Sequence, residues 1–196
     1  AEELDPCLDE QLPTAGPAWD NLVAAANHPI GAPNLSNKDD PTNVYVLARA
    51  LVYARTGQTS YRDQVIDALE VVTYDDTEAG GTTLALGREL AAYVIAADLI
   101  QLDVAAPALD ADFRATLAYL LNVQLFDGRT LVSTHEDRAN NWGTHAGASR
   151  AAVAAYLGDD DALAQTAAPG AGTATGVLLA AAEAGGITPT GCGTAG

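Results

Sequence analysis

Apolar residues recur at helical spacing along most of this chain, and no segment of any length alternates with the two-residue period of a strand. The clearest helix is predicted over residues 41–56, where four apolar residues share one face: Val44, Leu47, Leu51 and Ala54. Asp40 is its expected N-cap, Pro41 suits its first turn, and Gly57 is expected to end it. The same reasoning predicts further helices over 18–26, 60–72, 83–100, 109–124, 140–157, 160–168 and 176–184. The sequence therefore predicts an all-α fold.

The order of these helices indicates a repeated hairpin. Helix, short loop and helix recur at roughly 25 to 40 residues, a spacing typical of antiparallel helical hairpins stacked in a solenoid or a closed toroid. We divide the chain into an extended lead-in over 1–17, a helical domain over 18–168 and an Ala/Gly-rich tail over 169–196.

Charge and hydropathy exclude several classes of partner. The chain has 9 basic and 26 acidic residues and a net charge of -17, whereas nucleic-acid binding needs a basic face. An anionic ligand would have to bind where arginines cluster. No apolar run approaches the roughly 20 residues that cross a bilayer, so we expect no membrane span.

Two features bear on where the protein works. The sequence begins at Ala1 rather than Met, which suits either a processed, secreted protein, extracellular or periplasmic, or a chain that was cut at this point. Its two cysteines, Cys7 and Cys192, lie near opposite ends and leave a disulfide and two free thiols equally open.

The segment 135–145 concentrates the polar chemistry of the chain. Between two histidines it holds a run of polar and aromatic residues: His135, Glu136, Asp137, Arg138, Asn140, Asn141, Trp142 and His145. We interpret it as a polar loop that leads into an apolar helix, with Asn140 or Asn141 as the N-cap. If Asn141 is the cap, His145 lies about one turn into the helix, near free N–H groups that favour a bound carboxylate. On propensity alone, capping asparagines, a structural histidine and a core tryptophan are the simpler explanation.

The run Asn-Asn-Trp-Gly-Thr-His at 140–145, with the residues that follow it, resembles the signature region of bacterial alginate-lyase-like proteins, which are α/α-toroid polysaccharide lyases. The stretches 42–57 and 83–98 are also similar to that family, and the likeness covers roughly residues 13 to 165. The type that acts on glucuronan and alginate (polysaccharide lyase family 38) is nearest. Because such proteins are full toroids of greater length, we expect this chain to be an incomplete one.

The resemblance implies cleavage of a uronic-acid polysaccharide by β-elimination, without a cofactor. The reaction needs a group that neutralises the carboxylate, a base for the C5 proton and an acid for the departing O4. Asn141 would bind the carboxylate, with Asn140 as second choice, and His145 would be the base or a second neutralising group. Tyr45 and Tyr93, each on a predicted helix, would be candidate acids, although tyrosines in helix packing faces are commonly half-buried for structural reasons.

Other residues would hold neighbouring parts of the polymer. Arg138 or Arg88 could bind the carboxylate of an adjacent sugar, and Trp142 could stack on a ring, with core packing as the alternative. His135 is a further substrate-binding candidate. Its spacing from the adjacent acids matches no standard zinc pattern, so we predict no metal site. His28, beside a proline in a loop, is expected to be structural.

Two other functions stay open on the sequence. A helical-toroid glycoside hydrolase would need two carboxylates across a cleft; Glu136, Asp137 and Glu89 are available, and nothing marks a pair. A non-catalytic carbohydrate-binding fragment or homologue would explain the short chain and its atypical tail. These residues do not distinguish glucuronate from mannuronate or guluronate polymers.

Overall fold

The computed structural model describes residues 15–74 and 81–167, and every regular element in those two ranges is an α-helix. The prediction of an all-α fold is confirmed. In chain order the nine helices of these ranges are α1 (Ala15–Ala26), α2 (Thr42–Thr56), α3 (Thr59–Tyr74), α4 (Thr83–Leu99), α5 (Leu102–Ala105), α6 (Pro107–Asn122), α7 (Leu131–Asp137), α8 (Asn141–Leu157) and α9 (Asp160–Ala167). Both cysteines, the predicted helix over 176–184 and the tail over 169–196 lie outside the described residues.

Local signals in the sequence account for the ends of the longest helices. α2 ends at Gly57 and α8 at Gly158, whose φ angles of 70° and 72° lie in the left-handed region that glycine tolerates. The expected N-cap of α2 was wrong by one residue, because the helix begins at Thr42 and Pro41 precedes it. Asp40 still supports this end, since its carboxylate accepts hydrogen bonds from Thr42 N at 3.0 Å and Thr42 Oγ1 at 2.7 Å.

Four elements differ from the sequence prediction, and one of them, the short α5, was not predicted at all. α1 begins at Ala15, so the last residues of the expected lead-in over 1–17 are helical. α6 begins at Pro107, because proline suits a first helical turn. Most importantly, the expected loop at 135 is the end of α7, which starts with a capping box in which Thr130 and Ser133 each bond the other's backbone N–H. The N3 residue of this box is Ser133 rather than the usual glutamate or glutamine, so the sequence did not indicate a helix start here.

The helices pack in two layers. α2, α4 and α8 lie side by side in that order, and α3 and α6 pack behind them. Two pairs of consecutive helices, α2 with α3 and α8 with α9, form antiparallel hairpins of the predicted kind. Arg49 Nε donates to Gln64 Oε1 at 2.9 Å across the turn between α2 and α3. Arg150 Nη2 donates to Gln165 Oε1 at 3.2 Å across the turn between α8 and α9.

One large hydrophobic core fills the space between the two layers. Its largest fully buried side chains include Tyr93, Phe113, Leu69, Leu90 and Ile100. Truncating one of these leucines to alanine would cost about 2–5 kcal/mol of stability, because the packed surroundings relax only partly around the cavity. This core holds the helices that carry the candidate site in fixed positions.

The C-terminal end of α8 is anchored to α6 by a partly buried polar cluster. The Tyr156 hydroxyl donates to Asp110 Oδ1, and Arg114 Nε donates to Asp110 Oδ2 at 2.7 Å. The Arg114 guanidinium also lies 4.5 Å from the centroid of the Tyr156 ring. With this end fixed, the direction of α8 is set, and so is the position of its N-terminal turn.

Candidate active site

α4 and α8 lie in direct backbone contact near their N-terminal ends. A Cβ atom at Gly87 would lie 2.9 Å from Ala146 N and 3.1 Å from His145 C, so a larger residue would push the helices apart. Ser149 Oγ donates to Gly87 O at 2.9 Å and accepts from Ala91 N at 3.1 Å, further along both helices. The two helices therefore run parallel, with their N-termini at the same end of the molecule.

The first turn of α2 reaches the same place. The Asn43 side-chain amide donates to Arg88 O at 3.3 Å. The exposed Arg88 guanidinium lies 3.7 Å from Asp39 Oδ1, in the loop before α2. The N-terminal turns of α2, α4 and α8 thus form one surface, which we call the N-terminal face and define as residues 39–45, 83–89 and 138–145.

His145 is half-buried one turn into α8. Burial lowers the pKa of its imidazole, and the positive charge of Arg88 lowers it further. The ring is therefore neutral at neutral pH and has a lone pair that can accept a proton.

The two asparagines at the start of α8 differ in what they bind. Asn140 is the N-cap: its Oδ1 accepts from Trp142 N at 3.0 Å, and its carbonyl accepts from Thr144 N at 3.0 Å. Asn141 is the first residue of the helix, exposed, and its side-chain amide bonds to none of the described residues. This division leaves Asn141 free for a ligand beside the unpaired N–H groups of the helix.

A glycine at position 143 permits the sharp turn from α7 into α8. A Cβ atom there would lie 1.8 Å from Arg138 O, far inside contact distance. The Arg138 guanidinium lies over the half-buried Trp142 ring, 4.5 Å from its centroid. No carboxylate among the described residues pairs with Arg138, so its charge is available to a ligand.

Tyr45, half-buried on the first turn of α2, stacks on His28. The ring centroids lie 4.3 Å apart and the planes differ by 16°. His28 is held in place because its Nδ1 donates to Pro29 O at 2.8 Å and its carbonyl accepts from Arg49 Nη2 at 2.7 Å. The sequence analysis treated His28 as structural, since nothing local connects it with a tyrosine 17 residues later. The structure brings the two rings together.

Two of the sequence-predicted site residues lie inside the protein instead. Tyr93 is 0% exposed, its hydroxyl has no hydrogen-bond partner among the described residues, and burial raises its pKa above the usual value. His135 is 1% exposed, with Nδ1 3.4 Å from Arg150 Nη1. Burial first and Arg150 second lower the pKa of His135. Neither side chain reaches the surface on which a polymer would bind.

Of the three acids considered for a hydrolase, two are bonded to arginines and the third is buried. Glu136 accepts from Arg150 Nη1 at 3.0 Å, and Asp137 accepts from Arg129 Nη1 at 3.0 Å. Glu89 is 2% exposed, and its Oε2 has no partner among the described residues. Burial and the nearby charge of Asp40 raise the pKa of Glu89 to about 7.

Two depressions of about 160 Å³ and about 250 Å³ lie away from the N-terminal face, and no residue of the face lines either of them. Within 15–74 and 81–167, no three His, Cys, Asp or Glu side chains come together as a metal site would require. No helix in these two ranges has the length and apolar character needed to span a membrane.

Comparison with known proteins gives one match. A family model described as alginate lyase covers residues 42–175. That range begins at the first residue of α2 and contains Tyr45, Arg88, Asn141 and His145. Neither a curated protein nor a solved structure matches the chain.

Proposed function

This chain belongs to the alginate lyase family, and we propose that it cleaves a uronic-acid polysaccharide of the glucuronan or alginate type by β-elimination. The observation that carries the proposal is the spacing of Asn141 and His145, which lie four residues apart at the start of α8. Residues four apart lie on the same side of a helix, so a free amide and a neutral imidazole face one region.

The amide suits the first requirement of the reaction. The C5 proton of a uronate becomes acidic only when the adjacent carboxylate is neutralised, because removing that proton places charge on the carboxylate oxygens. In our proposal the Asn141 amide donates to this carboxylate, and the positive end of α8 stabilises the developing charge. Asn140 supports this arrangement as the cap, since its side chain is already bonded to Trp142 N.

The imidazole suits the second requirement. His145 takes the C5 proton, the C5–H electron pair forms the C4–C5 double bond, and the C4–O4 bond breaks with its electron pair on O4. A proton donor must then reach O4. Tyr45 is the candidate on the N-terminal face, and we propose that the stacked His28 ring holds it in position. The burial of Tyr93 speaks against it as the donor.

Three further residues of the face suit neighbouring sugars. Arg88 and Arg138 offer guanidinium groups, which bind carboxylates in a planar, two-bond geometry. Trp142, under Arg138, offers an aromatic surface to a sugar ring.

We also propose that the protein acts outside the cytoplasm, secreted to the exterior or the periplasm, where it would encounter a polysaccharide.

The test is turnover of defined polymers. The purified chain is incubated with glucuronan, with polymannuronate and with polyguluronate, while the ultraviolet absorbance of the unsaturated product and the release of reducing ends are followed together. We expect both to rise with at least one polymer. Asn141→Ala and His145→Ala should abolish the rise, whereas Asn122→Ala, an exposed asparagine at the end of α6, should leave it unchanged.

The turnover assay, together with calorimetry, also tests the two alternatives, a glycoside hydrolase and a carbohydrate-binding protein. Reducing ends without absorbance would mean hydrolysis and would overturn the lyase proposal. Binding of a polymer in calorimetry without either signal would indicate a carbohydrate-binding protein.

A further inference from the structure

Phe126 is the most exposed of the large apolar side chains in the described residues, with 82% of its surface in contact with solvent. It lies in the loop between α6 and α7. Single apolar residues on a surface are common and need no explanation by themselves. Phe126 differs because of how its loop is held and where that loop lies.

The backbone around Phe126 is fixed by hydrogen bonds. Phe126 N donates to Gly81 O at 3.0 Å, which ties the loop to the chain just before α4. Leu125 N donates to Arg129 O at 2.9 Å, and Gly128 N donates to Leu125 O at 2.8 Å, which close the loop on itself. The ring is thus presented to solvent from a fixed backbone.

Two side chains place this loop beside the N-terminal face. Asp127 Oδ2 accepts from Thr83 N at 3.2 Å and from Thr83 Oγ1 at 2.7 Å, at the first residue of α4. Thr83 precedes Gly87, where α4 meets α8, by one turn, about 6 Å. On the other side, Arg129 Nη1 donates to Asp137 Oδ2 at 3.0 Å, at the last residue of α7. The loop therefore adjoins the face from both α4 and α7.

Arginines near Phe126 offer positive charge to an anionic ligand, alongside the carboxylates of Asp127 and Asp137. The chain has a net charge of -17 and only 9 basic residues. Three of these basic residues lie on or next to the N-terminal face: Arg88, Arg129 and Arg138. The side chain of Arg129 remains 33% exposed while bonded to Asp137. An aromatic ring beside a guanidinium group can bind a uronate residue by its apolar C–H face and by its carboxylate.

We propose that Phe126 and Arg129 form a subsite for a sugar residue of the polymer, beyond the two residues whose linkage is cleaved. Phe126 stacks on the ring, and Arg129 binds the carboxylate of the same or the adjacent sugar. The choice of a uronate polymer as the ligand rests on the proposed function. The subsite itself is tested by measuring oligosaccharide binding, which does not require turnover. An enzyme with this subsite binds long oligomers more tightly than short ones.

The test compares Phe126→Ala and Phe126→Trp with wild type in calorimetric titrations of short and long uronate oligosaccharides. Tyr119→Ala is the matched control, since Tyr119 is 56% exposed on α6. Removing the stacking ring should weaken the binding of long oligomers by about tenfold and leave the shortest unaffected. Tryptophan should restore the affinity, and Tyr119→Ala should match wild type. Thermal unfolding checks that all variants fold.

The outcomes separate the subsite from the proposed reaction. Equal affinities of wild type and Phe126→Ala for long oligomers overturn the subsite, and continued turnover then leaves the lyase proposal intact. A loss of affinity in Phe126→Ala without any turnover by wild type supports the subsite and overturns the lyase. If wild type binds none of the oligosaccharides, the subsite is overturned.

Discussion

His28 and Tyr45 stack with their ring centroids 4.3 Å apart, although one lies in a loop and the other on the first turn of α2. The contact restricts the tyrosine ring that we propose as the proton donor. Because two bonds hold the histidine to Pro29 and Arg49, the restriction comes from the fold rather than from a flexible neighbour.

Two substitutions of His28 should therefore distinguish the contribution of ring stacking from that of the imidazole nitrogen atoms. His28→Phe keeps a flat ring against Tyr45 and should retain most of kcat. His28→Ala removes the ring and should lower kcat by about tenfold or more, because a misplaced donor raises the barrier. Steady-state kinetics measures kcat of both variants, and thermal unfolding checks that both are folded. Equal impairment of both variants would mean that an imidazole nitrogen takes part directly.

The two asparagines should respond in opposite ways. Asn140→Ala removes the N-cap bond to Trp142 N and should lower the free energy of unfolding by about 1 kcal/mol. Asn141→Ala removes an amide with no partner among the described residues and should leave stability unchanged while it reduces kcat/KM strongly. Denaturant unfolding and kinetics on the same preparations test both. A stability loss in Asn141→Ala as large as that in Asn140→Ala would contradict the assignment.

Gly143 should tolerate no side chain. In Gly143→Ala the new Cβ would lie 1.8 Å from Arg138 O, so α7 and α8 must separate. We expect a loss of about 1–3 kcal/mol or more in the free energy of unfolding. Gly31→Ala is the matched control, because nothing lies within 4 Å of a Cβ at that position. Similar stabilities of the two variants would refute the close approach.

Glu89 should make stability fall as the pH rises. Its pKa is about 7 in the folded protein against 4.5 for the ordinary group, so between these values the folded state holds a proton that the unfolded state has released. The unfolding free energy therefore decreases across this window, by about 3 kcal/mol from this group. The decrease should be absent in Glu89→Gln.

The measurement is the difference between wild type and Glu89→Gln in unfolding free energy at several pH values. His135 and His145, whose pKa values are lowered by burial, titrate in both proteins and cancel in that difference. Glu70→Gln, at an exposed glutamate of α3, is the control. A difference that does not change between pH 4.5 and 7 would show that Glu89 is not buried as described.

The activity of the proposed base has its own pH dependence. His145 must be neutral to accept the C5 proton, and burial with Arg88 keeps its pKa below the usual 6.5. The acidic limb of kcat/KM should therefore lie below pH 6.5. Arg88→Gln removes a positive charge and should move this limb to higher pH, whereas Arg62→Gln, on α3, should not. A limb that stays in place in Arg88→Gln would argue against His145 as the base.

Much of the fold could be predicted because its signals are local. Gly57 and Gly158 end helices in the conformation that their sequence position implies, and the long helices show their apolar period. α7 was missed because its capping box uses Ser133 in place of the usual acidic residue or glutamine. The start of α6 was predicted two residues too late. Pro107 indicates a first helical turn only if the preceding helix has already ended, and that end was not evident from the sequence.

The candidate site divides in the same way. Asn141 and His145 could be predicted together because they lie four residues apart on one helix. The burial of Tyr93 and His135 depends on which helices cover them, and the contact of His28 with Tyr45 depends on the path of a loop, so neither follows from spacing along the chain. The role of Gly87 became visible only when α4 and α8 were seen side by side.

The bond from Ser149 Oγ to Gly87 O also has a consequence for folding, because it joins residues 62 positions apart. The hairpins α2–α3 and α8–α9 close over short turns, whereas joining α4 to α8 requires a long loop to close, at a greater cost in chain entropy. We therefore expect the hairpins to form early and the pairing of α4 with α8 to form late. A growing polypeptide would possess most of the described helices before its N-terminal face was assembled.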